Sequence, residues 1–357
     1  MGYYVDTNDA DDCPSCTKDI RFAIFILMNY APVFIPTLNR YAHFKQCLDS
    51  LEACTGAECT DVYIGLDYPP AEKYLAGWKK VDEYLQEKER QNRFRSLVVF
   101  RRDHNCGVSS PDSNSALLYR YVHSISDRFI FSEDDNVFSP NFLEYMNKGL
   151  DKYEKDDSVF AIVGYAHPYH FKYAENNHYR HNTDMSAWGY GSWYNKHSQA
   201  WEFFNGKNAR IKFSLKWVAK AYRHGWLRLY QYLLATQTKG HTNIADSSMT
   251  IYMIVTDRFV ISPTLSKVRN IGWDSEGNSF KNGLQGKDRI AERHNSQPID
   301  AEEHFDYVGD DHTYMDYNNK VAVKESDGYM SFFAFVNNIL EALYRGLKKA
   351  YRNIKEM

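Results

Sequence analysis

The sequence predicts an α/β protein built on a mainly parallel sheet, and three observations lead there. Short apolar stretches of strand length alternate with segments of helical periodicity through the first 140 residues. Of the 357 residues, 43% are apolar and 25% charged, the balance of a folded, water-facing chain and not of a disordered or polytopic membrane one. Each strand ends in a polar cluster, and ligands of parallel sheets bind beyond the carboxyl ends of the strands.

The elements follow in order. Ala31 to Pro36 reads as a strand, Tyr41 to Ala53 as a helix, Val62 to Leu66 as a strand and Ala71 to Asn92 as a long charged helix. Leu97 to Phe100 is a third strand, Ser113 to Ser124 a helix, and Arg128 to Ser132 a fourth strand. Strands joined by helices in this way make βαβ units.

Before residue 28 the chain carries Asp6, Asp9, Asp11, Asp12 and Asp19 with little apolar content, so residues 1–27 read as a mobile extension. The apolar run Phe22 to Phe34 is broken by Asn29 and Pro32 and is shorter than the roughly 20 residues that span a bilayer. The six cysteines, Cys13, Cys16, Cys47, Cys54, Cys59 and Cys106, follow no secretory signal pattern, which points to a reduced, cytoplasmic chain. Cys13 and Cys16 have zinc-knuckle spacing without a second close pair. With 43 Lys and Arg against 46 Asp and Glu, net −3, there is no basic field to hold nucleic acid.

The strand ends carry Thr37 to Arg40, Asp67, Arg101 to Gly107, and Ser132 to Asp135. Three consecutive carboxylates, Glu133, Asp134 and Asp135, repel one another unless a cation or hydrogen-bond donors stabilise them, and oxygen ligands of this kind suit Mg²⁺ or Mn²⁺. The same residues also allow an exposed acidic turn that caps a helix starting near Pro140.

Phe131 to Met146 resembles the metal-binding segment of GT-A fold glycosyltransferases: a hydrophobic strand, an acidic triplet, and Ser-Pro before a helix. The similarity is to bacterial surface-polysaccharide glycosyltransferases and the N-acetylglucosaminyltransferase I branch. Val33 to Arg40 with Cys47 to Leu51, Ile64 to Asp67, Asn105 to Gly107, Ser186 to Trp193 and Pro263 to Gly272 resemble further segments of that branch in the same order. The resemblance implies a GT-A fold, Rossmann-like, with helices on both faces of a mainly parallel sheet. It divides the chain into a nucleotide-sugar-binding half, 28–140, an acceptor-binding half, 141–300, and a tail, 301–357.

By that resemblance Asp135 holds Mn²⁺ or Mg²⁺ bridging a diphosphate, Asp134 lies near the ribose or a metal-bound water, and Glu133 near a donor-sugar hydroxyl. Arg40 faces the diphosphate and Asp67 accepts the uracil N3 proton, which favours a UDP-sugar; Thr37, Asn105 and Gly107 complete the donor site. As residues alone, Arg40 and Asp67 could equally form a salt bridge at the sheet edge. The general base of the family corresponds to Asp246, in a stretch starting at Asn243 where Ser247 holds the position of a second carboxylate. Asp246 also reads as an N-cap of a helix Ser247 to Val255. Where relatives carry a His after the glycine, this chain has Ser279; Asp274 is a spare ligand and His294 the next histidine.

The chain is 16% aromatic, and Tyr169, Phe171, Tyr173, Tyr179, Trp188, Tyr190, Trp193 and Tyr194 interleave with His167, His170, His178 and His181. Sugar C–H faces stack on rings, so Trp188, Gly189, Tyr190 and Trp193 are candidates for binding an acceptor glycan or lipid-linked glycan. After an acidic segment from Asp300 to Asp316, residues 331–352 form an amphipathic helix with Arg345, Lys348, Lys349, Arg352 and Lys355 crowding its end. Such a helix either lies peripherally on an anionic membrane or packs on the body. The expected function is transfer of a sugar with inversion, with a metal-dependent nucleotide-diphosphate hydrolase and a non-catalytic carbohydrate- or nucleotide-binding protein as competing readings.

Overall fold

The computed structural model describes residues 30–108, 112–167, 177–205, 213–237, 245–272, 297–309, 312–313 and 330–355. The extension 1–27, Cys13 and Cys16, Tyr169, His170, Phe171 and Tyr173, Asn243, and the stretch with Asp274, Ser279 and His294 lie outside the described residues.

Val33, Phe34 and Ile35 are buried on both faces, which makes β1 (Val33–Thr37) an interior strand. In chain order there follow α1 (Tyr41–Glu52), β2 (Asp61–Leu66), α2 (Leu75–Arg90), β3 (Ser96–Arg101), α3 (Asn114–His123), β4 (Arg128–Phe131), β5 (Asn136–Phe138), α4 (Phe142–Tyr153), β6 (Val159–Val163), β7 (His178–His181) and β8 (Tyr190–Trp193). Then come α5 (Tyr194–Asn205), α6 (Leu215–Arg223), α7 (Trp226–Gln237), α8 (Ala245–Thr256), β9 (Phe259–Pro263), β10 (Val268–Asn270), β11 (His312–Thr313) and α9 (Phe332–Lys355). The expected helix Ala71 to Asn92 starts later than its charge pattern suggests: a 3₁₀ turn, Glu72–Tyr74, follows Pro69 and Pro70 before α2 begins. Ser113 caps α3, accepting a hydrogen bond from the Ala116 amide.

Among the described residues nine strands form one mixed, mostly parallel sheet in the order β11-β7-β9-β6-β8-β4-β1-β2-β3, flanked by helices. β2 and β4 both run parallel to β1, and β3 parallel to β2, so four carboxyl ends line one edge. β8 is inserted antiparallel between β4 and β6, with Tyr190 opposite both Phe131 and Val163. Its amino end therefore reaches the same edge as the carboxyl ends of β4 and β6. A two-stranded antiparallel ribbon of β5 and β10 sits beside that edge and pairs Asn136 with Asn270.

The core draws on residues from before and after position 140. Phe129 packs against Phe34, Tyr190 and Tyr194, and α4 buries Phe142, Leu143, Met146 and Leu150. The buried Lys196 ammonium donates to the carbonyls of Tyr153, Asp156 and Val159, so it satisfies the chain between α4 and β6. Residues 297–309 strap back over α4. Lys267 and Asp300 form a buried ion pair, Asn141 Nδ2 donates to Asp300 at 2.8 Å, and the Tyr307 ring stacks on Tyr145 with centroids 5.5 Å apart.

Among the described residues no helix is long and apolar enough to cross a membrane. The amphipathic C-terminal helix is present as α9, and its first turns meet α7: Trp226 contacts Phe332 and Phe335 at 5.1 and 5.0 Å between ring centroids.

Candidate active site

The acidic triplet leaves β4 at the middle of the sheet edge. Asp134 and Asp135 are buried there, not displayed on an exposed turn, and the segment enters β5 before α4 begins. Arg40, at the amino end of α1, forks its guanidinium across them: Nη2 pairs with Asp134 Oδ1 and Nη1 with Asp135 Oδ2 at 2.8 Å. Thr37 Oγ1 donates to Asp134 Oδ2 at 2.9 Å. Arg40 thus pairs with the triplet and not with Asp67; burial alone would loosen its proton, but the charges of Asp134 and Asp135 and the hydrogen bonds to them outweigh burial and hold it more firmly than usual.

The second oxygen of Asp135 accepts from Asn270 Nδ2 at 2.7 Å, and the Ile271 amide donates to the Asp135 carbonyl at 2.8 Å. Asn270 Oδ1 in turn accepts from the Gly272 amide at 3.0 Å. A Cβ on Gly272 would stand 2.1 Å from Asp135 Oδ2, so only glycine leaves that oxygen its space. Asn270 and Gly272 belong to a stretch visible in the sequence, yet nothing in the sequence marks them as the groups that orient the carboxylate.

Burial, with the charges of Asp135, Asp246 and Asp134 around it, pushes the Glu133 carboxyl up to about 8. Burial raises Asp134 as well, against the pull of Arg40. The charge of Asp246, in the first turn of α8, reaches Glu133, although 113 residues of chain separate them. Asp246 lies inside α8, one residue after its start, so it is not the N-cap of a helix beginning at Ser247. Burial and the Asp184 charge push its carboxyl up to about 6, while an amide hydrogen bond from Ala187, just before β8, opposes them.

A polar network fixes this turn. Arg228 on α7 donates through Nε to the Thr183 carbonyl at 3.1 Å and through Nη1 to Gln231 Oε1 at 2.9 Å; Gln231 Nε2 donates to Ser247 Oγ at 2.9 Å. Thr250 Oγ1 donates to the Asp246 carbonyl at 2.8 Å and accepts from the Met185 amide at 2.9 Å. Asp184, which burial alone would raise, is held well below the usual carboxylate range by His167, His181 and Arg228. Ser247 is therefore a tether to α7.

On the other side, Asp67 at the end of β2 is buried and accepts three hydrogen bonds: from the amides of Tyr68 and Cys106 at 2.9 and 2.8 Å on one oxygen, and from Asn105 Nδ2 at 3.1 Å on the other. Asn105 also donates to the Tyr68 carbonyl at 2.7 Å. Asp67 and Asn105 thus clip the loops after β2 and β3 together, and Gly107 closes that loop at φ 67°.

The aromatic candidates separate. Tyr190 and Trp193 are 5% and 3% exposed, in a strand with neighbours on both sides; Tyr190 packs on Phe129 and Phe131, and Trp193 faces the Lys196 ammonium at 3.8 Å. Neither ring presents a face to a ligand, because alternation along an interior strand turns both sides into core. Trp188 is half-buried at the edge, its ring edge-on to Tyr165 with centroids 4.7 Å apart. Gly189, with φ 70°, carries the chain from the Ala187 contact into β8, and its carbonyl accepts from the Gly164 amide at 2.7 Å.

Among the described residues no group of three or more His, Cys, Asp or Glu side chains surrounds a metal position. What the edge offers is a pair of oriented carboxylates with hard oxygen donors converging on one cation, the Arg40 guanidinium, and a glycine cradle at Asp135 Oδ2. This donor set suits a divalent cation whose remaining ligands come from phosphate and water.

No protein-family model matches the chain, and no curated protein matches it. Solved structures similar to it include S. aureus TarS 1-349 in complex with UDP, with 15% identity and a TM-score of 0.29 over 38% of this chain and 34% of that one. Others are the mannosyltransferase PcManGT from Pyrobaculum calidifontis in complex with GDP-Man and Mn²⁺, with 11% identity and a TM-score of 0.36 over 96% of this chain and 90% of that one, and the bifunctional WbbM, with 14% and 0.26 over 39% and 23%. The match covers 21% of another TarS structure. None of these three proteins is an N-acetylglucosaminyltransferase I.

Proposed function

We propose that the protein is a glycosyltransferase of GT-A type that moves a sugar from a UDP-sugar to a hydroxyl of a glycan or lipid-linked glycan, with inversion. The observation that carries this reading is the Arg40–Asp134–Asp135 cluster at the sheet edge, together with a further carboxylate, Asp246, whose charge reaches Glu133. A transferase of this kind binds a diphosphate, stabilises it as it leaves, and deprotonates an acceptor. The ordered resemblance of six sequence segments to such enzymes supports the same assignment.

Thr37, Arg40, Asp67, Asn105, Gly107, Glu133 and Asp134 form the donor side in this reading. Asp67 accepts the uracil N3 proton, and Arg40 releases the carboxylates to meet the diphosphate. Asp135, oriented by Asn270 and Gly272, would hold Mn²⁺ or Mg²⁺, which when bound supplies a Lewis acid for the departing diphosphate. A Glu133 carboxyl that retains its proton near neutrality can donate to a donor-sugar hydroxyl.

Asp246, with its carboxyl near 6, is half-ionised close to working pH, the range in which a general base is effective. It takes the acceptor proton on the face opposite the leaving group, and a single base there suffices for direct displacement. Trp188 lines the acceptor side. The free thiols of Cys47 and Cys54 support a cytoplasmic setting.

The test is transfer from UDP-sugars to oligosaccharide acceptors with Mn²⁺, followed by NMR of fresh product. Inverted anomeric configuration that is lost in Asp246→Asn supports the reading. Retained configuration removes the single-base mechanism, and UDP-sugar cleavage that ignores the acceptor makes the protein a hydrolase.

A further inference from the structure

α9 is covered by the body only in part. Phe332 and Phe335 meet Trp226, and Ala334, Phe335, Val336 and Ile339 are half-buried, but Phe333 is 82% exposed, and Leu340, Leu343 and Tyr344 are 56–63% exposed. At 100° per residue Phe333, Leu340 and Tyr344 lie in one narrow stripe beside the docked face. The stripe continues onto the body: Tyr222 on α6, 52% exposed, packs edge-on against Trp226 with centroids 4.9 Å apart. The result is an aromatic ridge, Tyr222, Trp226, Phe332 and Phe333, open to solvent on one flank.

The polar side of α9 has one sign. Between Phe332 and Lys355 stand Arg345, Lys348, Lys349, Arg352 and Lys355 against the single carboxylate Glu341, a net +4 in a chain of net −3, so the rest of the molecule carries −7. Of these, Arg345 and Lys348 are exposed. An apolar stripe with Tyr and Trp at its rim, flanked by cations on the side away from the docked face, is the pattern of a helix lying in a lipid headgroup layer. A body of net −7 is repelled by an anionic surface, which fixes the approach to this one face.

We propose that α9, together with Tyr222 and Trp226, docks the protein peripherally on an anionic membrane, with Phe333, Leu340 and Tyr344 entering the headgroup region. A second copy of the chain, the other occupant an apolar stripe could take, would bring two +4 helices together.

The test is co-sedimentation of the full chain with vesicles of phosphatidylcholine alone and of phosphatidylcholine mixed with phosphatidylglycerol, beside light scattering without lipid. Binding is expected to the mixed vesicles only and to weaken with salt. Arg345→Glu combined with Lys348→Glu should lower it at least about tenfold, and Phe333→Asp combined with Tyr344→Asp should abolish it. Both pairs are exposed, so melting temperatures should match the parent. No binding to either vesicle overturns the proposal, as does binding that survives both double variants. A lipid-free dimer that Phe333→Asp dissociates assigns the stripe to a second copy and also overturns it. None of these outcomes depends on sugar transfer, so the enzymatic reading is tested separately.

Discussion

Asn270 Nδ2 lies 2.7 Å from Asp135 Oδ1 and thereby turns the other carboxylate oxygen toward Arg40 and the space above Gly272. One amide from β10 thus decides which lone pairs at the end of β4 are open to a ligand, and the β5–β10 ribbon exists at the place where that amide is needed.

Removing Arg40 leaves two buried carboxylates without their cation. Arg40→Ala should lose about 3 kcal/mol of stability in urea unfolding. Mn²⁺ should restore part of that loss, and should stabilise the variant more than the parent, because guanidinium and metal compete for the same oxygens. Equal stabilisation of both proteins by Mn²⁺ would place the metal elsewhere.

Asp135→Ala should reduce transfer at least about 100-fold while circular dichroism is unchanged. Normal metal-stimulated turnover in this variant takes the triplet out of the site.

Gly272→Ala places a methyl group against Asp135 Oδ2, which Asn270 and Arg40 prevent from swinging away. The expected cost is roughly tenfold to a hundredfold in turnover, with a raised Mn²⁺ requirement and a nearly normal melting temperature. Gly272→Ala with parental kinetics would show that the carboxylate is free to move.

Asp246 ties activity to pH. As a base it must be ionised, so turnover should rise with pH through about 6, and Asp246→Asn should lose about 10²–10⁴ in rate with that limb absent. Stability has the opposite sign. Between the ordinary 3.8 and about 6 the folded state binds more protons than the unfolded one, so stability falls as pH rises through that window and levels off above it. Asp246→Asn should therefore melt higher than the parent at pH 7, with the difference shrinking toward pH 4; scanning calorimetry across pH reads it directly.

The strands β1 to β4 and the helices between them were legible because each is a short apolar run or a periodic segment with its own boundaries, as Val33 to Ile35 and the Ser113 cap illustrate. The triplet was legible because three adjacent carboxylates after a strand demand a partner. That Arg40 pairs with the triplet and not with Asp67 was not, since both carboxylate sites lie at strand ends and only the placement of β1 between β2 and β4 decides which is nearer. Tyr190 and Trp193 misled because an aromatic in an interior strand has the same composition as one in a groove. The tether from Arg228 through Gln231 to Ser247 joins residues 16–19 positions apart on different helices, a pairing that no local pattern encodes.

The strap formed by residues 297–309 bears on where the cooperative unit ends. Asp300 balances the buried Lys267 ammonium, and Phe305 and Tyr307 close over Tyr145. A chain cut at Pro298 would keep every strand of the sheet from β1 to β9 yet leave that ammonium without its counter-charge and the back of α4 wet. Limited proteolysis should therefore stop short of Tyr307 while it trims α9, and the strap should unfold together with the sheet in a single transition.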